Sequence, residues 1–142
     1  MGNKIAAGFH ACVDFEMEWD QQKLEDLIRE FDIKASELTT DSYVDSQRQL
    51  LLTCLGHMKA GMGAEFVPET PEICFDFAQH FNYRITIGGT AARAATAISK
   101  LGYESALSMV CYNHYIKEQL PKKIHYYSNV GEDHEVTYPH VV

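Results

Sequence analysis

The junction at Gly88-Gly89 limits the fold of this chain more than any other stretch. A strand-like run, Tyr83-Arg84-Ile85-Thr86-Ile87, stops at the paired glycines, and an alanine-rich helical segment starts immediately at Thr90. That segment reaches Leu101 and is closed by Gly102, where a helix exit calls for left-handed backbone. Ser105 to Cys111 then has strand character, with Leu107, Met109 and Val110 apolar. Ile116 to Leu120 reads as a short helix before Pro121, and Ile124 to Tyr127 as a further strand. Strand, helix, strand, helix, strand in this order predicts parallel crossovers and an α/β sheet.

The first half fits the same class. Lys4-Ile5-Ala6-Ala7-Gly8-Phe9 predicts a short buried strand. From Ala11 the chain alternates, with Val13, Phe15, Met17 and Trp19 set against Asp14, Glu16, Glu18 and Asp20. Period two means an extended segment with one apolar and one acidic face. A solvated side is sufficient for Glu16, Glu18 and Asp20. Lys23 to Phe31 carries a helical stripe through Leu24, Leu27, Ile28 and Phe31. A second helix begins near Asp45-Ser46, either of which can cap it. Its stripe runs through Leu51, Leu52, Leu55 and Met58, and Gly61-Met62-Gly63 ends it. Thr70-Pro71-Glu72 combines a capping hydroxyl, a first-turn proline and an acid at the positive helix end, with Ile73, Phe77 and Phe81 on the buried face.

Length and charge narrow the classes of function. At 142 residues the chain suits one domain with a proper core. A hydrophobic fraction of 46% and a charged fraction of 23% belong to an ordinary globular protein. A net charge of −8 with scattered Lys and Arg argues against a nucleic-acid or anionic-membrane partner. No apolar run approaches the roughly 20 residues needed to span a bilayer. The first residues are too soon interrupted for a signal peptide, and Ala6 stands where a myristoylation signal has Ser or Thr. A cytoplasmic protein is expected. Cys12, Cys54, Cys74 and Cys111 form no close pair, so reduced and mostly buried thiols are expected. No Cys or His spacing suits zinc, and no metal site is expected.

The glycine junction is the best place for chemistry. Two glycines let backbone approach a ligand closely, and the helix behind them presents unpaired amides and a positive dipole end. Such a place suits a sugar hydroxyl, a carboxylate or a phosphate. It is neither a P-loop, lacking Gly-Lys-Ser/Thr, nor a three-glycine dinucleotide turn. Close helix–sheet packing through Ala91, Ala92, Ala94, Ala95 and Ala97 is the purely structural alternative.

Several segments in order carry a family resemblance: Gly8-Phe9-His10-Ala11-Cys12-Val13-Asp14, Gly61-Met62-Gly63-Ala64-Glu65-Phe66, the Pro71–Phe81 helix, and Ile87-Gly88-Gly89-Thr90-Ala91 leading to Leu101-Gly102. Their order and spacing resemble the amino-terminal half of the ADP-dependent glucokinase and phosphofructokinase family, and the tail from Tyr112 to Pro139 resembles its continuation. The resemblance implies a ribokinase-like, mostly parallel sheet flanked by helices, with residues 1–142 forming one partial domain on the substrate side. It implies a hexose or hexose phosphate acceptor, and ADP and Mg²⁺ in the complete enzyme. By the same resemblance Asp14 is a sugar ligand, Glu65 contacts glucose, and Gly88 and Gly89 offer backbone to sugar hydroxyls. Cys12, placed beside Asp14 in the substrate motif, stands where the family usually has Asn. Arg93 stands where many ribokinase-like proteins carry Asn, and both departures bear on sugar preference. His10 offers a compensating imidazole. The family's catalytic Gly-x-Gly-Asp has only a superficial echo in Gly131-Glu132-Asp133, so sugar binding without turnover is expected of these residues. A noncatalytic binding or assembly module, pairing with a second copy or a complementing chain, is the rival reading. A dehydrogenase-like nucleotide domain is disfavoured by the missing glycine fingerprint.

Overall fold

The computed structural model describes residues 5–8, 11–41, 43–110, 113–128 and the backbone of 140–141. In chain order the elements are β1 (Ile5–Ala7), β2 (Cys12–Met17), α1 (Gln21–Glu30), α2 (Gln47–Ala60), α3 (Glu72–Ala78), β3 (Tyr83–Gly88), α4 (Thr90–Lys100), β4 (Ser105–Met109), α5 (His114–Gln119), β5 (Ile124–Ser128) and β6 (His140–Val141). They divide into two units: one gathers residues 1–16 and 84–140 with 142, the other residues 17–83 with 141.

In the first unit, β4 is the centre of a parallel sheet ordered β1-β4-β5. Ile5 faces Ser105 on one edge of β4, and Ile124 faces Ser105 on the other. Ser105, Leu107 and Met109 are buried at period two, while Ala106 and Ser108 are half-buried. This is the pattern of a strand packed chiefly on one face. α4 lies against β4 and β1. Ala91, Ala92 and Ala95 are its buried residues, and side chains this small permit a close approach to the sheet. α5 begins at Asn113, whose Oδ1 accepts from the Ile116 amide at 3.1 Å, and Ile116 is buried. Capping and burial together explain so short a helix.

β3 belongs to a different sheet, ordered β3-β2-β6. The expected crossover from β3 through α4 to β4 within one sheet is therefore corrected, while that from β4 through α5 to β5 is found. A strand has two edges, and both edges of β4 are taken by β1 and β5. The mostly parallel, helix-flanked α/β class stands.

The second unit is helical. Asp20 caps α1 through a 3.1 Å bond from the Lys23 amide, and Ser46 caps α2 through a 3.2 Å bond from Gln49. α2 ends at Gly61 with φ +66°, the left-handed exit its sequence predicted. The core is Leu27, Val44, Leu50, Leu51 and Phe77, with Leu24, Ile28, Phe31, Ile73 and Phe81 packed partly buried against it. Met58 is not part of the stripe: it is 57% exposed, and Leu50 takes the inward place. Thr70 does not cap α3: Pro71 holds the N-cap position, without a side-chain cap bond. Glu72 instead accepts from its own amide and from the Thr70 side chain, and these bonds hold its carboxyl below the usual range.

Cys12, Cys54 and Cys74 are free thiols, and Cys111 lies outside the described residues. Burial, reinforced by the neighbouring Cys74, pushes Cys54 up to about 11; burial alone carries Cys74 to about 11. Thiols so resistant to ionisation are structural.

Gly56 gives a sharp test of packing. Buried in α2, it faces the backbone of Thr39, and any Cβ there would land on the Thr39 carbonyl. Alanine would add up to ~1 kcal/mol of helix propensity. Overpacking against fixed backbone costs about 1–3 kcal/mol or more, which outweighs that gain. Gly56→Ala should therefore lower the urea unfolding midpoint; an unchanged or raised midpoint would refute the close approach.

Candidate functional site

The site lies in the first unit and starts from the alternation of β2. Val13 and Phe15 are buried on one face, so Cys12, Asp14 and Glu16 share the other. Asp14 is only 6% exposed. A carboxylate so far from water needs partners. Arg93 Nη2 donates to Asp14 Oδ2 at 2.8 Å, and the Cys12 thiol donates to Oδ1 at 3.4 Å.

Gly88, the last residue of β3, makes room for this carboxylate. A Cβ at position 88 would overlap the Asp14 side-chain oxygens, so any larger residue there must displace the carboxylate. Gly89 follows with φ +87°, a backbone angle disfavoured for other residues, and turns the chain into α4. The helix starts without a side-chain cap, which leaves its first-turn amides without the usual capping partner. Arg93 sits one turn in, its amide bonded to the Gly89 carbonyl at 3.0 Å. From there its guanidinium reaches back to Asp14.

Glu16 extends the network. Arg84 Nε donates to it at 2.6 Å and the Thr86 hydroxyl at 2.9 Å, while Arg93 Nη2 stands at 3.4 Å. The Arg84 bond, then the Thr86 bond, holds the Glu16 carboxyl below the usual range. Its contribution to stability is thus complete above the ordinary carboxylate range and is lost as pH falls through the lowered value. Hydrogen bonding to Asp14, with the charge of Glu16 behind it, raises Arg93 above its usual value.

Beside this network a groove of about 330 Å³ runs along α4, lined by Glu16, Thr86, Arg93, Thr96, Lys100 and Gln119 among others. Among the described residues, no three His, Cys, Asp or Glu side chains gather as a metal site.

Of the residues the sequence singled out, Asp14, Cys12 and Gly88 meet, and Gly89 adjoins them at the helix entry. Glu65 is exposed in the second unit, between α2 and α3, and makes no hydrogen bond or ion pair among the described residues. His10 and the Gly131-Glu132-Asp133 segment lie outside the described residues. Glu16 is not simply a solvated acid, because Arg84 and Thr86 hold it. Sequence reading overlooked that pair and Lys100. The available signal was alternation: Glu16 shares a strand face with Asp14, and Arg84 and Thr86 share one on β3.

A ribokinase-like α/β protein is the class that this sheet and junction define. Residues 3–142 match the family described as ADP-specific Phosphofructokinase/Glucokinase conserved region, and the chain belongs to that family. Its fold is similar to a phosphofructokinase from Pyrococcus horikoshii OT3 crystallised with AMP, at 16% identity and a TM-score of 0.62, covering 91% of this chain and 30% of that one. A hypothetical ADP-dependent phosphofructokinase from the same organism gives 16% identity and a TM-score of 0.64, over 87% of this chain and 28% of that one. The last common ancestor of ADP-dependent phosphofructokinases from Methanosarcinales gives 15% and 0.59, over 87% and 27%. The chain thus spans under a third of the length of each. No curated protein matches the sequence. None of the described helices is long and apolar enough to cross a membrane.

Two measurements check this geometry. Arg84→Ala should raise the Glu16 pKa toward the ordinary carboxylate range in a carboxyl-carbon NMR titration; an unmoved Glu16 would sink the assignment of its main partner. Gly88→Ala should cost about 1–3 kcal/mol of stability by displacing the Asp14 carboxylate. A neutral effect in chemical denaturation would mean that Asp14 does not rest there.

Proposed function

We propose that this chain forms the acceptor-sugar side of an ADP-dependent sugar kinase of the cytoplasm, and that these 142 residues bind a hexose or hexose phosphate without turning it over. The observation that carries the reading is the buried Asp14 carboxylate at Gly88, next to the uncapped start of α4. A carboxylate accepts two hydroxyl hydrogen bonds, while first-turn amides donate to hydroxyl oxygens. Vicinal hydroxyls of a sugar present both kinds of partner at once. Gly89 keeps that approach clear of side chains, and Cys12 steadies Asp14 from its own strand. Glu65 is the proposed contact that tilts the acceptor toward glucose over fructose 6-phosphate.

Phosphoryl transfer needs a base for the acceptor hydroxyl and stabilisation of the transferring charge. No Gly-x-Gly-Asp segment occurs in these residues to supply the base. The described residues also do not fit Mg²⁺: Asp14 and Glu16 are both engaged by arginine, and no third ligand gathers with them. No step is therefore assigned to the metal in this chain.

A second reading, assembly with another chain, draws on β5. Among the described residues it ends the parallel sheet and exposes Tyr126 and Tyr127. Sheet ends bearing aromatics are suited to pairing. Elution volumes that stay constant from low to high concentration would count against it.

Calorimetry with glucose and with fructose 6-phosphate tests the leading reading. Asp14→Asn keeps the shape against Gly88 but loses the charge, and should weaken binding roughly 10-fold or more, as expected for a hydrogen bond to a charged group. Equal affinity of the variant would remove Asp14 from the site. Sugar phosphate formed from ADP, Mg²⁺ and glucose by the purified chain would overturn the absence of turnover.

A further inference from the structure

We propose that the groove along α4 is an anion site suited to a phosphate monoester, and that it shares Arg93 with Asp14. Arg93, Thr96 and Lys100 stand at i, i+3 and i+7, so one face of the helix carries them in a row about 10 Å long. All three line the groove, with Gln119 from α5 opposite. Among the described residues, the side chains of Thr96, Lys100 and Gln119 make no hydrogen bond or ion pair. These three groove donors are unspent.

Arg93 is itself only half engaged. Its Nη2 serves Asp14 and Glu16, while Nε and Nη1 make no hydrogen bond among the described residues. A planar guanidinium with free donors and a 57% exposed side chain can grip a phosphate through two parallel bonds. Lys100 adds a point charge at the far end of the row. Glu16 is the adverse group, the one carboxylate lining the groove among the described residues, and Arg84 neutralises it. Three cations, Arg84, Arg93 and Lys100, thus stand against two carboxylates, in a chain whose net charge is −8. Local excess of positive charge on an acidic protein attracts an anion and not nucleic acid at large.

Sharing Arg93 has a consequence that rests on the sugar reading. Arg93 donates to Asp14 Oδ2, in competition with any hydroxyl. A phosphate in the groove draws the guanidinium away, and the vacated oxygen can accept from a polyol. Anion and polyol therefore bind with positive coupling, and by linkage each tightens the other by the same factor.

Inorganic phosphate is the probe, titrated into the full chain by calorimetry at constant ionic strength set with chloride. Saturable binding is expected, weakened at least 5-fold by Lys100→Gln, a surface change whose folding circular dichroism can verify. Absence of saturable phosphate binding, or binding indifferent to Lys100→Gln, overturns the site. Glucose alone tests the sugar reading separately. Glucose without phosphate binding leaves that reading standing and removes this one; phosphate without glucose binding does the reverse. Where both bind, phosphate should tighten glucose several-fold, and Arg93→Gln should abolish the coupling; independent binding overturns the sharing of Arg93. Fructose 6-phosphate tighter than AMP marks a phosphorylated sugar as the source of the anion, and the opposite order marks a nucleotide; either order supports an anion site.

Discussion

A carboxylate held almost out of water, flat against a glycine and clasped by a guanidinium, organises the first unit. Burying an ion costs several kcal/mol even after relaxation, unless hydrogen bonds and an opposite charge offset the lost hydration. Asp14 meets this requirement through Arg93 on one oxygen and Cys12 on the other. Each partner imposes a condition elsewhere. Position 88 must lack a Cβ, because the carboxylate occupies that volume. Position 93 must lie one turn inside the helix, so that a long side chain can fold back toward β2. The turn at Gly89 satisfies both, ending the strand and starting the helix within one residue.

Much of the architecture was legible because it is written in local signals. Periods of two and 3.6 located β2, α1 and α2, alanine-rich composition ahead of Gly102 located α4, and Gly61 ended α2 where a left-handed exit was expected. Pairing of strands was less legible, since periodicity describes a strand's faces and not its edges. β3 looks in sequence like the partner of β4, yet β1 and β5 already flank that strand. Met58 failed for a related reason. Three successive leucines, Leu50 to Leu52, bury enough of the start of α2 that the later turn need not face inward.

The site was half legible. Family resemblance pointed at Asp14, Gly88 and Gly89, and it marked Cys12 and Arg93 only as departures. Geometry joins the two departures at a single carboxylate. An Asn at position 12, as the resemblance leads one to expect, would bring a strong amide donor to this neighbourhood; a thiol is a weak one. Arg93 supplies from the helix the strong donor that the strand lacks. Sequence spacing could not reveal this, because the two positions are 81 residues apart and meet only through the tertiary fold. Glu16 escaped notice for the same reason: its alternation looks solvated until Arg84 and Thr86 from another strand are placed beside it.

The replacement of a neutral donor by a cation changes what the carboxylate can do. An amide beside Asp14 would leave its charge in place, ready for neutral hydroxyls. A guanidinium cancels most of that charge and occupies one oxygen through a charge-assisted bond, which is roughly twice as strong as a neutral one. A hydroxyl arriving at Oδ2 must therefore exchange a stronger bond for a weaker one, and gains only if Arg93 finds another anion. Helix geometry provides a direction for that exchange, because the groove with Thr96 and Lys100 continues along the same face of α4. On the proposed reading, preference between a bare and a phosphorylated polyol follows from where Arg93 rests, on the strand carboxylate or over the groove, more than from the glycines that first drew attention to the junction.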